Sequence, residues 1–532
     1  MPDERMTPVT RGRSWQDLAK HADDLAGLKL NTLFSDDSSR AGKFTLGDDD
    51  LLVDISRQKI TEETLSLLYA LARERNLESS IQDLISGNRV NVTENRPALH
   101  TALRSDEQDL TVDGTNIMED VRAGLGKMAE FVEEIHAGRI CGATGKKFRT
   151  IINLGIGGSD LGPRLTVHAL HSFCRDDIDV RFVANVDYQD LHKRLKNTDP
   201  ETTLFIVASK SFTTLETLAN ARSAQQWLLE HGCPAPTDHF IAVTANPSAA
   251  RDSDIQPGGI LEFREWVGGR FSLWSTIGLP IALGAGMDIF MELLRGARAM
   301  DRHFATAPLD QNIPVTLALT DIWNSNFLGA ESLAVVPYDH SLALLPAYLS
   351  QLMMESNGKR TTTAGADPDY HTGMIIWGAE GTNAQHAFFQ LLHQGTRTIP
   401  VEFLVGIHST AGHPEHQVSV VANCLAQAEA LMLGRAKRDN EPWRNFPGNR
   451  QSTTIMYDSL TPYRLGQLLA MYEHRTFVQA CLWDINAFDQ WGVELGKELA
   501  AVIINEIESG AAGADHDSST RQLIEHYLRK RK

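Results

Sequence analysis

The chain has 532 residues, 42% of them hydrophobic and 22% charged, with 50 Lys plus Arg against 68 Asp plus Glu for a formal net charge of −18. Such a length exceeds what one hydrophobic core usually accommodates, so two or more domains are expected. The acidic field excludes nucleic acid and anionic membranes as natural partners, and no apolar run approaches the roughly 20 residues of a membrane span.

The polar opening MPDERMTPVTRGRSWQ has no apolar signal-peptide core, and the five cysteines (Cys141, Cys174, Cys233, Cys424, Cys481) are scattered. Free thiols and a cytoplasmic location are the expectation. Up to about residue 140 the chain alternates amphipathic runs, such as 60–75, with polar turns and reads as mainly helical. From Phe148 the pattern changes to short β-branched runs at 150–154, 180–186, 203–208 and 240–244, separated by helical segments. Similar runs return at 332–336, 374–377 and 401–405. Strands alternating with helices predict parallel sheets of βαβ units, here in two related α/β domains.

Several loops in this pattern carry polar or glycine-rich chemistry. The first, NLGIGGSDLGP (153–163), follows a predicted strand and opens a helix, so its backbone suits an anion at the helix N-terminus through Gly158 and Ser159. A dinucleotide fingerprint fits poorly, because Asp160 occupies the third glycine position; Asp187 is the residue that would imitate a ribose-binding acid. The second, ASKSFTTLE (208–216), clusters Ser209, Ser211 and Thr214 where Thr213 and Glu216 have capping-box spacing. Hydroxyls and backbone amides there form the outline of a phosphate cradle, with Lys210 adding charge; an ordinary Ser/Thr-rich cap is the competing reading. In VGGRFS (267–272), Arg270 sits between flexible backbone and an apolar segment, placed either to stabilise an oxyanion or to brace a turn.

The stretch 342–355 places Leu342, Leu345, Leu349, Leu352 and Met353 on one helical stripe, and Glu355 continues that stripe where an apolar residue would be expected. Asn357-Gly358 reads as a left-handed helix stop, putting Glu355 in the last turn. Burial and the helix dipole both disfavour its charge, which suits a group that takes and returns a proton. Within GAEGTNAQH (378–386), Thr382 or Asn383 is the expected cap of a helix with His386 in its first turn, suited to proton exchange; a hydrogen-bonded core histidine is the plainer alternative. In FDQWGVELGK (488–497), Lys497 shares a stripe with Val493, Ala500 and Ile504, so it either meets a partner or snorkels. After residue 507 the chain is small and polar, and 523–532 forms a short basic amphipathic tail. The loop histidines His408, His413 and His416 lack metal-ligand spacing, and no metal is expected there.

Taken in order, NLGIGGSDLGP, ASKSFTT, GGRFS, MESNGK, GTNAQHAFFQLLHQGT and FDQWGVELGK resemble the phosphoglucose isomerase family over roughly residues 40–508. The resemblance implies an α/β fold of two sugar-isomerase-type domains with parallel sheets flanked by helices, plus a helical N-terminal region and a C-terminal arm. The corresponding division is 1–110, 111–285, 286–508 and 509–532. It implies glucose 6-phosphate and fructose 6-phosphate as substrates, in glycolysis and gluconeogenesis, with no cofactor or metal. It further implies a homodimer in which His386 is supplied across the interface. Carried over by residue, Gly158, Ser159, Ser209, Lys210, Ser211 and Thr214 resemble the substrate-binding loops, with Gln490 nearby. Arg270 resembles the enediolate stabiliser, Glu355 the base between C1 and C2, and His386 with Lys497 the ring-opening groups. Ser211 stands where many members have threonine, and Phe271 where tyrosine is common; the first keeps the hydroxyl and the second removes only a phenol. A non-catalytic sugar-phosphate sensor would not need Glu355, His386 and Lys497 together. An isomerase also accepting mannose 6-phosphate is a further alternative.

Overall fold

The computed structural model describes residues 8–435 and 440–531, so the first seven residues of the polar opening and the last residue of the basic tail lie outside it. Two compact units result, residues 1–487 and 488–532. The first unit contains two main sheets. One has five parallel strands in the order Asp179–Val183, Thr150–Gly155, Thr203–Ala208, Phe240–Thr244, Gly259–Glu262. Its strands Thr150–Gly155 and Thr203–Ala208 are buried throughout, which is why they read as continuous apolar runs rather than alternating ones. Chain order reverses between these two strands, and such a switch point opens a crevice beyond their carboxyl ends. Both the glycine loop and the hydroxyl loop leave the sheet there.

The second sheet has six strands in the order Thr45–Gly47, Leu51–Asp54, Ser452–Ser459, Val401–His408, Ser332–Tyr338, Ile375–Gly378. Its last four strands are parallel, and the first two form an antiparallel hairpin. The expectation of parallel α/β sheets is met, with corrections. The N-terminal region is not only helical, since it contributes this hairpin. Strands Gly259–Glu262 and Ser452–Ser459 went unpredicted, the latter because a Ser/Thr-rich sequence does not look like a buried strand. Asp187 is the N-cap of the helix Tyr188–Leu195, accepting from the Gln189 amide at 3.0 Å, which accounts for an acid at that position without a ribose. Among the described residues no helix is long and apolar enough to cross a membrane, and all five cysteines are free.

The helix Pro462–Leu482 is buried on all sides although it carries Glu473, His474, Arg475 and Gln479. Burial of such groups requires partners. Arg104 donates to both oxygens of Asp301 at 2.7 Å and to Glu473 Oε2 at 2.6 Å, Trp274 Nε1 donates to Glu473 Oε1 at 2.7 Å, and His474 Nε2 lies 2.7 Å from Asp301. Burial pushes Glu473 up to about 7 despite Arg104. Asp301 is held down at about 2: burial opposes its charge, and the pairing with Arg104 and His474 outweighs burial.

These shifts act in different pH windows. The raised Glu473 contributes stability that is full below its ordinary value and is lost as pH rises through about 7, whereas the Asp301 contribution is lost only in strong acid. Glu473→Gln cannot ionise. Its melting temperature relative to wild type is therefore expected to improve between about pH 5 and about pH 8, by an amount equivalent to roughly 1–3 kcal/mol. Thermal melts of both proteins at the two pH values check this, and a constant difference would refute it.

The second unit holds the helices Glu494–Ser509 and Ser518–Lys530, the latter capped by Asp517, which accepts from the Ser519 and Thr520 amides. No residue of Glu494–Ser509 is buried, so the stripe of Val493, Lys497, Ala500 and Ile504 is not the packed face that its spacing suggests. Periodicity identifies an apolar face but does not say what covers it.

Candidate active site

Beyond Gly155 the glycine loop forms a tight 3-10 turn, Gly157–Ser159, before the helix Leu161–Ala169 begins. A Cβ added at Gly158 would lie 1.9 Å from the Gly269 carbonyl oxygen, so only glycine lets this loop pack on the segment carrying Arg270. A Cβ at Gly157 would meet Gln351 Nε2 at 2.9 Å. The two glycines thus let three sequence-distant segments meet, one through backbone and one through the Gln351 side chain. Ser159 is half-buried, and its carbonyl accepts from Asn153 Nδ2 at 3.0 Å. Asp160, the residue that spoils the dinucleotide pattern, is buried against Arg164 at 2.7 Å; burial raises it to about 6.

The hydroxyl loop differs from the predicted capping box. Thr214 is the N-cap of Leu215–Glu230, and its hydroxyl makes no cap bond but pairs with Ser209 Oγ at 3.0 Å. Ser209 Oγ also accepts from the Phe212 amide, and Ser211 Oγ lies 2.7 Å from Thr213 Oγ1. Phe212 has φ +54°, a strained value for a bulky residue, held by burying its ring in the core of the first sheet. The result is four hydroxyls at the positive end of a 16-residue helix whose first amides lack a side-chain cap. The Lys210 side chain does not add its charge to these hydroxyls. Its ammonium donates to the carbonyls of Glu265 at 2.7 Å and Val267 at 3.0 Å, bracing the loop that leads to Arg270. Burial, followed by the nearby Arg96, lowers Lys210 to about 8.

Arg270 is buried and acts as a three-way fork. Nε donates to Ser356 Oγ at 2.6 Å, one terminal nitrogen to Glu355 Oε2 at 3.2 Å, and the other to the Ala487 carbonyl at 2.5 Å. Gln351 Nε2 also donates to Glu355 Oε2 at 3.2 Å. Leu342, Leu345, Leu349, Leu352 and Met353 are all buried as their stripe predicts. Glu355 leaves that stripe because the helix Leu345–Leu349 runs into a π turn, Ser350–Glu355, whose i→i+5 register adds a residue to the turn. Its side chain remains 23% exposed and faces a guanidinium instead of an apolar wall. The helix stop is also different: neither Asn357 nor Gly358 has a positive φ. Lys359 caps the turn by donating to the carbonyls of Glu355 and Ser356, and Gly358 is required because a Cβ would approach Met354 O to 2.5 Å.

His386 is not in a first helical turn. It follows the short helix Gly381–Gln385 as its C-terminal cap and is exposed. Neither Thr382 nor Asn383 caps that helix; its N-cap is Glu380. Gln490 precedes the 3-10 turn Trp491–Val493, and Lys497 lies exposed in the helix Glu494–Ser509, both in the second unit. The structure brings together Gly158, Arg270 and Glu355. It adds Gln351 and Ser356, which the motif reading missed; the four-residue spacing from Gln351 to Glu355 was the available signal. Among the described residues no group of three or more His, Cys, Asp or Glu is placed to hold a metal ion.

A glycine loop and a hydroxyl loop leaving the sheet at its switch point, with a paired arginine and glutamate beside the glycine loop, form the arrangement in which α/β proteins take ligands at the ends of their strands. The chain belongs to the phosphoglucose isomerase family, whose model matches residues 54–524. It is 45% identical to "Glucose-6-phosphate isomerase 2" of Chromobacterium violaceum, covering 99% of both chains. It is 46% identical to "Glucose-6-phosphate isomerase" of Anaeromyxobacter sp. (strain K), covering 100% of both. Among solved structures it resembles a glucose-6-phosphate isomerase from Chlamydia trachomatis with TM-score 0.90 and 33% identity, over 98% of this chain and 100% of that one.

Proposed function

We propose that the protein interconverts glucose 6-phosphate and fructose 6-phosphate, a step of glycolysis and gluconeogenesis. The observation that carries this reading is the Arg270–Glu355 pair, 3.2 Å apart, held against the Gly157–Gly158 turn. Moving a proton between adjacent sugar carbons needs a carboxylate beside the carbon and a fixed positive charge beside the oxygen that becomes anionic. Glu355 is the base and Arg270 the oxyanion partner. Ser209, Ser211 and Thr214, with Gly158 and Ser159, anchor the phosphate through hydroxyls and amides. Lys210 contributes by bracing the Arg270 loop.

Ring opening comes first: one proton leaves the C1 hydroxyl and one reaches the ring oxygen. His386 and Lys497 are assigned to that step, and Gln490 to substrate binding, on the family motifs they belong to. The homodimer, with His386 supplied to the partner's site, belongs to this proposal. Two features favour it: His386 is exposed, and Leu495, Leu499 and Val502 present an uncovered apolar face at 64%, 49% and 48% exposure. A cytoplasmic location and a reaction without metal or organic cofactor complete the reading. The test is turnover of fructose 6-phosphate in a coupled assay without added metal, repeated with chelator. Equal rates are expected; loss of activity with chelator would overturn the metal-free chemistry, and no turnover in either would overturn the reaction.

A further inference from the structure

Glu355 closes a π turn, so the regular i→i+4 ladder of an α-helix does not set where its carboxylate points. The fixed points lie just after it. Ser356 is held by Arg270, and Asn357, buried to 1% exposure, uses its Nδ2 to donate to the Thr476 carbonyl at 3.1 Å and to Gln479 Oε1 at 2.8 Å. Gln479 in turn donates Nε2 to Asp321 Oδ2 at 2.5 Å. An ionised carboxylate only accepts, so Asp321 dictates the orientation of the Gln479 amide and presents Oε1 to Asn357. Arg475 grips Asp321 with two bonds of 2.6 and 2.7 Å and reaches Glu402 at 2.6 Å, while Tyr472 donates to the other Glu402 oxygen. Asn357, Asp321, Glu402, Tyr472, Arg475, Thr476 and Gln479 are all buried, and the last four lie on Pro462–Leu482.

The same helix reaches the other catalytic segment. Glu473 accepts from Trp274 Nε1, and Trp274 closes the turn Gly269–Trp274 that contains Arg270. One rigid element therefore holds both halves of the Arg270–Glu355 pair.

We propose that Gln479 is a positioning residue for the proton transfer. It fixes Asn357, and through Asn357 the direction in which Glu355 leaves its π turn, by relaying the orientation of the Asp321–Arg475 ion pair. The inference rests on Glu355 being the base. Gln479 itself touches neither substrate nor Glu355 in this account. Displacement of a catalytic group by about 1 Å can cost on the order of 10² in rate without weakening substrate binding.

The experiment compares Gln479→Met and Asn357→Leu, both close in volume to the original side chains, with wild type and Glu355→Gln. In deuterated water the readout is the fraction of turnovers in which the migrating hydrogen exchanges with solvent instead of passing between the two carbons. That fraction is a property of each turnover and does not change when fewer molecules are folded. A displaced Glu355 is expected to raise it several-fold in both variants, with kcat lowered roughly 10- to 100-fold and KM within about twofold of wild type. An unchanged fraction in both variants overturns the positioning role, whatever happens to their melting temperatures. Normal turnover by Glu355→Gln would instead overturn the assignment of the base, so the two failures are distinguishable.

Discussion

Replacing Glu355 with glutamine is expected to lower kcat by about 10²–10⁴ while leaving KM for fructose 6-phosphate within a few fold of wild type. The substitution is nearly isosteric, and the amide oxygen can still accept from Arg270 and Gln351, which now donate to Glu355 Oε2 at 3.2 Å each. Only the ability to take a proton from carbon is lost. The hydroxyls proposed to anchor the phosphate belong to a different loop, and their mutual bonds do not involve Glu355. Steady-state kinetics together with direct sugar-phosphate binding separate the two effects. Near-normal turnover would sink the assignment, while lost binding would relocate Glu355 to the anchoring of substrate.

Arg270→Lys is expected to cost about 10²–10³ in kcat, the range observed when a positioned oxyanion donor is removed. The fork explains why a conserved charge is insufficient. Three nitrogens of a planar guanidinium reach Ser356, Glu355 and the Ala487 carbonyl at once, and a lysine ammonium at the end of a flexible stem cannot reproduce that geometry. Arg270 is also buried, so partners left unsatisfied would each cost about 1–3 kcal/mol of stability. Kinetics per folded molecule and thermal melts thus report separate losses. If Arg270→Lys retains kcat within about fivefold, the guanidinium is structural and the oxyanion must be stabilised elsewhere.

Much of the candidate site was legible as residue types but not as geometry. The glycine loop, the hydroxyl loop, Arg270 and Glu355 stand out because each departs from the apolar or polar pattern around it. Their directions do not. Lys210 looked like a charge for phosphate, yet two carbonyls on a neighbouring loop claim its ammonium. Thr213 and Glu216 had the spacing of a capping box, but the Ser209–Thr214 hydroxyl pair displaces it. His386 sat beside two plausible caps, and the helix begins and ends earlier than either implies. For Lys210 the competing carbonyls are distant in sequence and so invisible to spacing, whereas in the hydroxyl loop and at His386 neighbouring backbone chose a different local arrangement from the one the spacing allowed. Gln351 was missed for a related reason: its value comes only from meeting Glu355 on the same turn and Gly157 across the crevice.

The sequence by itself determined the parallel α/β character of the chain, because strands such as Thr150–Gly155 and Thr203–Ala208, buried along their whole length, are mostly apolar, and it identified the family through six ordered motifs. It also marked Glu355 as an acid on a packing stripe. What turned that acid toward Arg270 was decided only in three dimensions. A π turn rotates the carboxylate off the stripe, and no side-chain periodicity encodes that extra residue. The glycine turn, the arginine turn and the π turn are far apart in sequence. They meet because Gly158 lacks a Cβ and because the polar groups of the helix Pro462–Leu482 had to find partners once buried.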